Sequence, residues 1–254
     1  MNANQWQVFC RFRQDFKNQC EIWQSQFATE LAPLQKNAAL TDTPDYPIEN
    51  PVVYNTALDN ITQTDDIRLI VIGDNPGKAE QLSCNKQYLV GQSGKIAQSF
   101  FAKNIELGID FRKNVIILNK TPVHTAKTNH LKYLIRNGSD ALRNLIEESQ
   151  IWMAQKTAEL HQGLLQEAEC PLWLVGYAEL KGKGLFTKYR DVLQESYKNP
   201  CEWEKVFVYQ HFSMNRFLID LKNQLNKNEN AEPTDVDTAL RELGIFHRKE
   251  IFGK

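Results

Sequence analysis

The chain has 254 residues, 42% of them apolar and 24% charged, with a formal net charge of −1. That length buries roughly 70–75% of the unfolded surface without disulfide staples, and the near-neutral balance excludes a globally basic nucleic-acid binder, so any such surface must be local. The five cysteines (Cys10, Cys20, Cys84, Cys170, Cys201) are odd in number and contain no CxxC pair, which speaks against a disulfide framework and the usual zinc or iron–sulfur spacings.

The N-terminal segment mixes charge and aromatics and has no continuous apolar stretch of the signal-peptide kind. No apolar run approaches the roughly 18 residues of a membrane span. The expectation is a cytoplasmic protein with no membrane partner.

From Gln5 to about Leu31, Phe9, Phe12, Phe16, Cys20, Trp23 and Phe27 recur at steps of three and four. That spacing predicts one face of a long amphipathic helix, ended by Pro33. The proline-rich "LTDTPDYPIENP" (Leu40 to Pro51) then marks a connector. Residues 1–45 are expected to form a helical appendage with its linker, and 46–226 the main domain.

Four short apolar runs follow: "RLIVIG" at 68–73, "NVIILN" at 114–119, "LWLVG" at 172–176 and "KVFVYQ" at 205–210. Their apolar positions are consecutive, which suits strands buried on both faces of a parallel sheet. Helical stretches are predicted between and after them: Ser93 to Lys103, Asp140 to about Leu165, Phe186 to Glu195 and Met214 to Leu225. The alternation predicts an α/β fold, three-layer α/β/α with a central four-stranded parallel sheet, plus the long N-terminal helix. "NKNENAEP" (Asn226 to Pro233) reads as a loop. A short helix is then capped by Thr234 and stopped by Gly244, so that 227–254 packs on the same domain.

Parallel sheets place their sites at the carboxyl ends of strands. The first strand ends in "GDNPG", Gly73 to Gly77, where two polar side chains are followed by a backbone locked by proline and glycine. The second ends in Asn119, whose amide can both donate and accept. Beyond the fourth lies "HFSMN", with His211 and with Ser213 as a candidate helix cap. Each has a plain alternative: a common turn, a loop-capping amide and a structural histidine. "GQSGK" is not a phosphate loop. Leu89 stands where the first glycine is required and Ile96 where Ser or Thr is required. The other histidines, His124, His130, His161 and His247, sit in polar contexts and receive no role. "KGKGLFTKYR" contributes a local basic cluster, with Lys181 and Lys183 able to contact phosphates or simply to face solvent.

In this order, the segments resemble the uracil-DNA glycosylase superfamily. "GDNPG" is similar to the GINPG and GMNPG first motifs of its mismatch-specific and single-strand-selective branches. "PVVYNTALDNI" resembles the YNPL segment of the latter, and "YLVGQSGKIAQSFF" the PFVGRAGKLL stretch of the iron–sulfur branch. "VIILNKT" resembles the strand ending in the base-reading asparagine, and "HFS" the closing HPS motif. The resemblance spans roughly Val52 to Leu221.

It implies a monofunctional DNA N-glycosylase of base excision repair. Its partner would be DNA carrying uracil or a related deaminated base. No metal or cofactor is implied, and a monomer is expected. Asn75 would position the water, with Asp74 as an assistant at the place of the iron–sulfur branch's catalytic glutamate. Asn119 would read the base and His211 would stabilise the departing anion. Gly77 stands where the most uracil-selective branch has a tyrosine, which leaves room for other damaged bases. Leu89, with Tyr88 one residue earlier, takes the place of the stacking aromatic. Phe212 replaces the closing proline, and Phe212 or Met214 would wedge into the space left by a flipped base, beside Ser213. The iron–sulfur cysteines are absent. Two other readings stay open. One is a nucleic-acid-binding protein on the same fold with weak or no catalysis. The other is an unrelated doubly wound enzyme acting on a small nucleotide or phosphoester at the Gly73–Gly77 turn.

Overall fold

The computed structural model describes residues 1–165, 169–226 and 235–253. Helix α1 (Ala3–Ala39) opens on a capping box: the Asn2 side chain accepts from the Gln5 backbone, and Gln5 Oε1 accepts from the Asn2 backbone. Its Phe9, Phe12, Phe16, Cys20 and Trp23 are buried in the same core as the sheet. The helix does not end at Pro33. It runs on to Ala39, although an interior proline removes a hydrogen bond and costs about 3 kcal/mol. The turns beyond it are held by burial of Leu31, Ala38 and Ala39. They are also held by Gln35, whose Nε2 donates to the carbonyls of Pro51 (2.9 Å) and His124 (2.8 Å).

Strand β1 (Leu69–Gly73) is followed by helix α2 (Gln92–Lys103) and strand β2 (Val115–Asn119). Helices α3 (Leu131–Asn137) and α4 (Asp140–Leu165) lead to strand β3 (Leu172–Val175). Three helices, α5 (Tyr177–Leu180), α6 (Thr187–Ser196) and α7 (Pro200–Trp203), precede strand β4 (Val206–Tyr209). Helices α8 (Arg216–Leu225) and α9 (Val236–Phe252) complete the described chain. No helix among the described residues is long and apolar enough to cross a membrane.

The four strands are parallel, in the order β2-β1-β3-β4, and every strand residue is buried. This is the predicted three-layer α/β/α fold. Helices α1, α3, α4 and α6 pack together in one layer, and α2, α8 and α9 in the other. On the latter side Trp173 meets the rings of Phe101, Tyr209 and Phe217. Strand order reverses between β1 and β3, so the crevice beyond their carboxyl ends is the binding position this topology provides.

The C-terminal helix departs from expectation. Thr234 and most of the predicted loop lie outside the described residues, and Asp235 is the cap, accepting from the Thr238 backbone at 2.9 Å. The helix does not stop at Gly244 but passes through it. A Cβ there would stand 2.8 Å from Phe207 Cβ and 2.7 Å from the Tyr209 hydroxyl. The glycine therefore serves the approach of α9 to β4.

Candidate active site at the carboxyl edge of the sheet

The last residues of β1 and β2, Gly73 and Asn119, are register partners. Asn119 lies across Gly73 so closely that a Cβ on Gly73 would be 2.4 Å from Asn119 Oδ1. Asn119 is 2% exposed, and its Nδ2 is sealed from solvent with no acceptor among the described residues. Such a group costs free energy unless something accepts from it.

Asp74 follows Gly73 and meets Lys120, the residue after Asn119. Lys120 is fully buried. Its Nζ donates to Asp74 Oδ1 (2.6 Å), the Val175 carbonyl (2.6 Å) and the Gly73 carbonyl (3.2 Å), and lies 5.2 Å from the Phe186 ring centre. Three acceptors match the three hydrogens of an ammonium. Burial lowers the Lys120 pKa and the Asp74 carboxylate raises it again. Gly176, at φ +101°, makes room for the pair, since a Cβ there would be 2.2 Å from Asp74 Oδ1.

Asn75 is anchored by its amide nitrogen, which donates to Thr125 Oγ1 (2.7 Å) and more distantly to the carbonyls of Pro76 (3.3 Å) and Val123 (3.4 Å). Its Oδ1 has no donor among the described residues. The turn behind it is pinned by His124, whose Nδ1–H donates to the Pro76 carbonyl (2.8 Å) while Nε2 accepts from the Tyr46 hydroxyl (3.0 Å). Burial drives the His124 pKa down to about 4, so the ring is neutral.

His211 stands beyond β4. Its Nδ1 accepts from the Ser213 backbone N–H (3.0 Å) and lies 2.8 Å from Ser213 Oγ. That pattern assigns the ring hydrogen to Nε2. Burial lowers the His211 pKa, Asp74 opposes this and Lys120 adds to it.

Asp74, Asn75, Gly77, Leu89, Asn119, His211, Ser213 and Met214 all line one cavity of about 600 Å³. The remaining sequence-predicted site residues lie elsewhere. Tyr88 is fully buried and gives its hydroxyl to the Val53 carbonyl. Leu89, at a left-handed backbone (φ +53°), is the one of that pair that reaches the cavity. Among the described residues no Phe, Tyr or Trp ring lines the cavity. Phe212 is fully buried against Phe217 and is not a wedge, whereas Met214 is 72% exposed on the rim. Lys181 bonds the Tyr177 hydroxyl and pairs with Glu250, and neither it nor Lys183 lines the cavity. The segment from Pro51 to Ile61 does not reach it either; Val53 and Val52 stitch that segment to Pro122 and Val123.

Sequence reasoning passed over Lys120, which resembles any solvated lysine after a strand. It also passed over Glu80, a cavity-lining carboxyl whose Oε2 accepts from the Gly77 backbone (3.1 Å). Burial raises the Glu80 pKa to about 7, against the pull of the Gly77 and Leu89 backbones and of Arg112. Its position three residues after a turn glycine was a readable signal for a carboxyl that caps the turn. The rim cations are Lys127, paired with Asp42 at 2.9 Å, and Arg216. No group of three or more His, Cys, Asp or Glu side chains suited to a metal occurs among the described residues. Comparison with protein-family models, with curated proteins and with solved structures returns no match for this chain.

Proposed function

We propose that the protein is a DNA glycosylase that hydrolyses the N-glycosidic bond of uracil or a related deaminated base. The observation that carries this reading is the convergence of Asn75, Asn119 and His211 on a single cavity at the switch point of the sheet. In a duplex, the target base must first leave the stack, at a cost of a few kcal/mol. Asn119 then offers its Oδ1 to a ring N–H, and its unpartnered amide N–H, sealed in the free protein, meets a base carbonyl once the amide turns. Nε2–H of His211 faces the other carbonyl, where negative charge gathers as the bond breaks. Asn75, with its nitrogen fixed, presents Oδ1 to the attacking water. An amide is not a general base, and general-base catalysis contributes roughly 10²–10⁴-fold; acting alone, Asn75 would support only slow hydrolysis. Gly77 has open space where a Cβ would stand, which favours a site tolerant of bases larger than uracil.

The test is incubation with an oligonucleotide containing a single uracil, followed by alkaline cleavage at abasic sites. Strand scission by the wild type, reduced at least tenfold by Asn119→Ala and by His211→Ala, is the expected result. A wild type that releases no base overturns the reading.

The lack, among the described residues, of a Phe, Tyr or Trp ring for the base to stack on favours a second reading, a nucleic-acid-binding protein on this fold that releases nothing. DNA binding that falls steeply with salt, with every base retained, would select it.

A further inference from the structure

We propose that Lys120 is a positioning residue of this site: it fixes one oxygen of Asp74, leaves the other facing the cavity, and balances the carboxylate's charge beside His211. The inference rests on the glycosylase reading for its catalytic consequence, but its structural part stands by itself.

The geometry is specific. Lys120 reaches into the crevice between β1 and β3 and closes it from below, bonding the last carbonyl of each strand, Gly73 and Val175. Its third hydrogen goes to Asp74 Oδ1. Asp74 Oδ2 has no donor among the described residues and is not among the sealed polar atoms, while Asp74 lines the cavity. One oxygen is therefore held and the other is presented. With all three hydrogens engaged and no exposed surface, the amine is not available as a nucleophile.

In the hydrolysis proposed above, the bond from the sugar carbon to the base nitrogen breaks and its electron pair leaves on the base. The water oxygen bonds that carbon. The water's proton passes to Asp74 Oδ2 and then to the base. A carboxylate there offsets the positive charge on the sugar, a role Asn75 lacks. An unbalanced carboxylate beside His211 would instead draw a proton onto the imidazole and pair with it. Lys120 prevents that. The other charged groups lining the cavity are Glu179 from α5, Arg216 from α8, Lys127 from the loop after β2 and Glu80 from the loop after β1. Of these, Glu179 also acts on Lys120.

The experiment follows His211 by NMR titration of its ring in the wild type and in Lys120→Met, with uracil release measured on the same proteins. In Lys120→Met the His211 midpoint is expected to rise by about one pH unit or more, and kcat at neutral pH to fall at least tenfold with KM within about twofold. Removing both charges, in Lys120→Met/Asp74→Asn, is expected to return the His211 midpoint towards the wild-type value without restoring kcat. If Lys120→Met does not fold, Lys120→Gln, which keeps a donor but no charge, replaces it with the same expectation. A His211 midpoint unmoved by loss of the charge overturns the inference, as does borohydride trapping of a DNA adduct on Lys120. A moved midpoint in a protein whose wild type releases no base supports the hold of Lys120 on Asp74 and overturns the glycosylase reading instead.

Discussion

The floor and the mouth of the cavity are built by opposite means. The floor consists of Asp74 and Asn119 with Lys120 beneath them, none more than 7% exposed. It is tied to the last carbonyls of two strands and fitted into the space left by two glycines. The mouth consists of Ser213, Met214 and Arg216 on one side and Lys127 on the other. There Met214 and Asn215 both hold left-handed backbones (φ +53° and +56°), and Met214 stands out into solvent. Groups that must meet reacting atoms need positions fixed by their surroundings. On the proposed function, groups at the mouth meet a deformable polymer and need no such fixing. Substitutions should therefore cost stability at the floor and only function at the mouth.

The sharpest way to break this contrast is Asp74→Leu. It leaves Lys120 charged, buried and without its counter-ion, and should cost about 3–5 kcal/mol in denaturant unfolding. A loss under 1 kcal/mol would mean that the floor is not electrostatically locked.

Glu80→Gln comes next, read as a function of pH. The folded-state pKa of Glu80, about 7, lies above the unfolded value of about 4.3. The contribution of the protonated carboxyl is thus complete below about pH 4 and is lost as pH rises through 7. The variant should gain on the wild type by about 2–4 kcal/mol between pH 4.5 and 8, measured by chemical denaturation at each pH. A gap that does not change with pH would remove Glu80 from the set of buried titrating groups.

Gly73→Ala puts a methyl group against Asn119 Oδ1. It should cost about 1–3 kcal/mol and, on the proposed function, displace the amide enough to lower uracil release at least tenfold. The smallest stability effect is expected at the mouth. Met214→Ala should fall within about 0.5 kcal/mol of wild type while slowing release from duplex more than from single-stranded DNA.

Legibility in the sequence follows the same division. The strands were readable because each is a consecutive apolar run, as burial on both faces requires. Their polar ends, Asp74 with Asn75, Asn119, and His211, could be placed at the carboxyl edge from the same pattern. What could not be read depends on convergence. Lys120 is buried only because the ends of β1, β2 and β3 close around it, and no local window carries that information. Tyr88 and Leu89 were interchangeable in the sequence; both are buried in the core, and only Leu89 also lines the cavity. Pro33 and Gly244 carry strong stop signals, and tertiary packing overrode both: Gln35 holds the chain beyond the proline, and β4 needs the missing Cβ of the glycine.

The docking of α1 on α4 bears on how the chain is made. Gln5 Nε2 donates to the Leu164 carbonyl at 2.7 Å, Asp15 pairs with Lys156, and Phe16 and Trp23 pack on Trp152. These partners leave the ribosome about 130–160 residues after the helix they receive, roughly 10–30 seconds at ordinary elongation rates. For that interval Phe16 and Trp23 lack the Trp152 ring against which they pack. Slower translation or loss of holdase chaperones should therefore lower the yield of this protein.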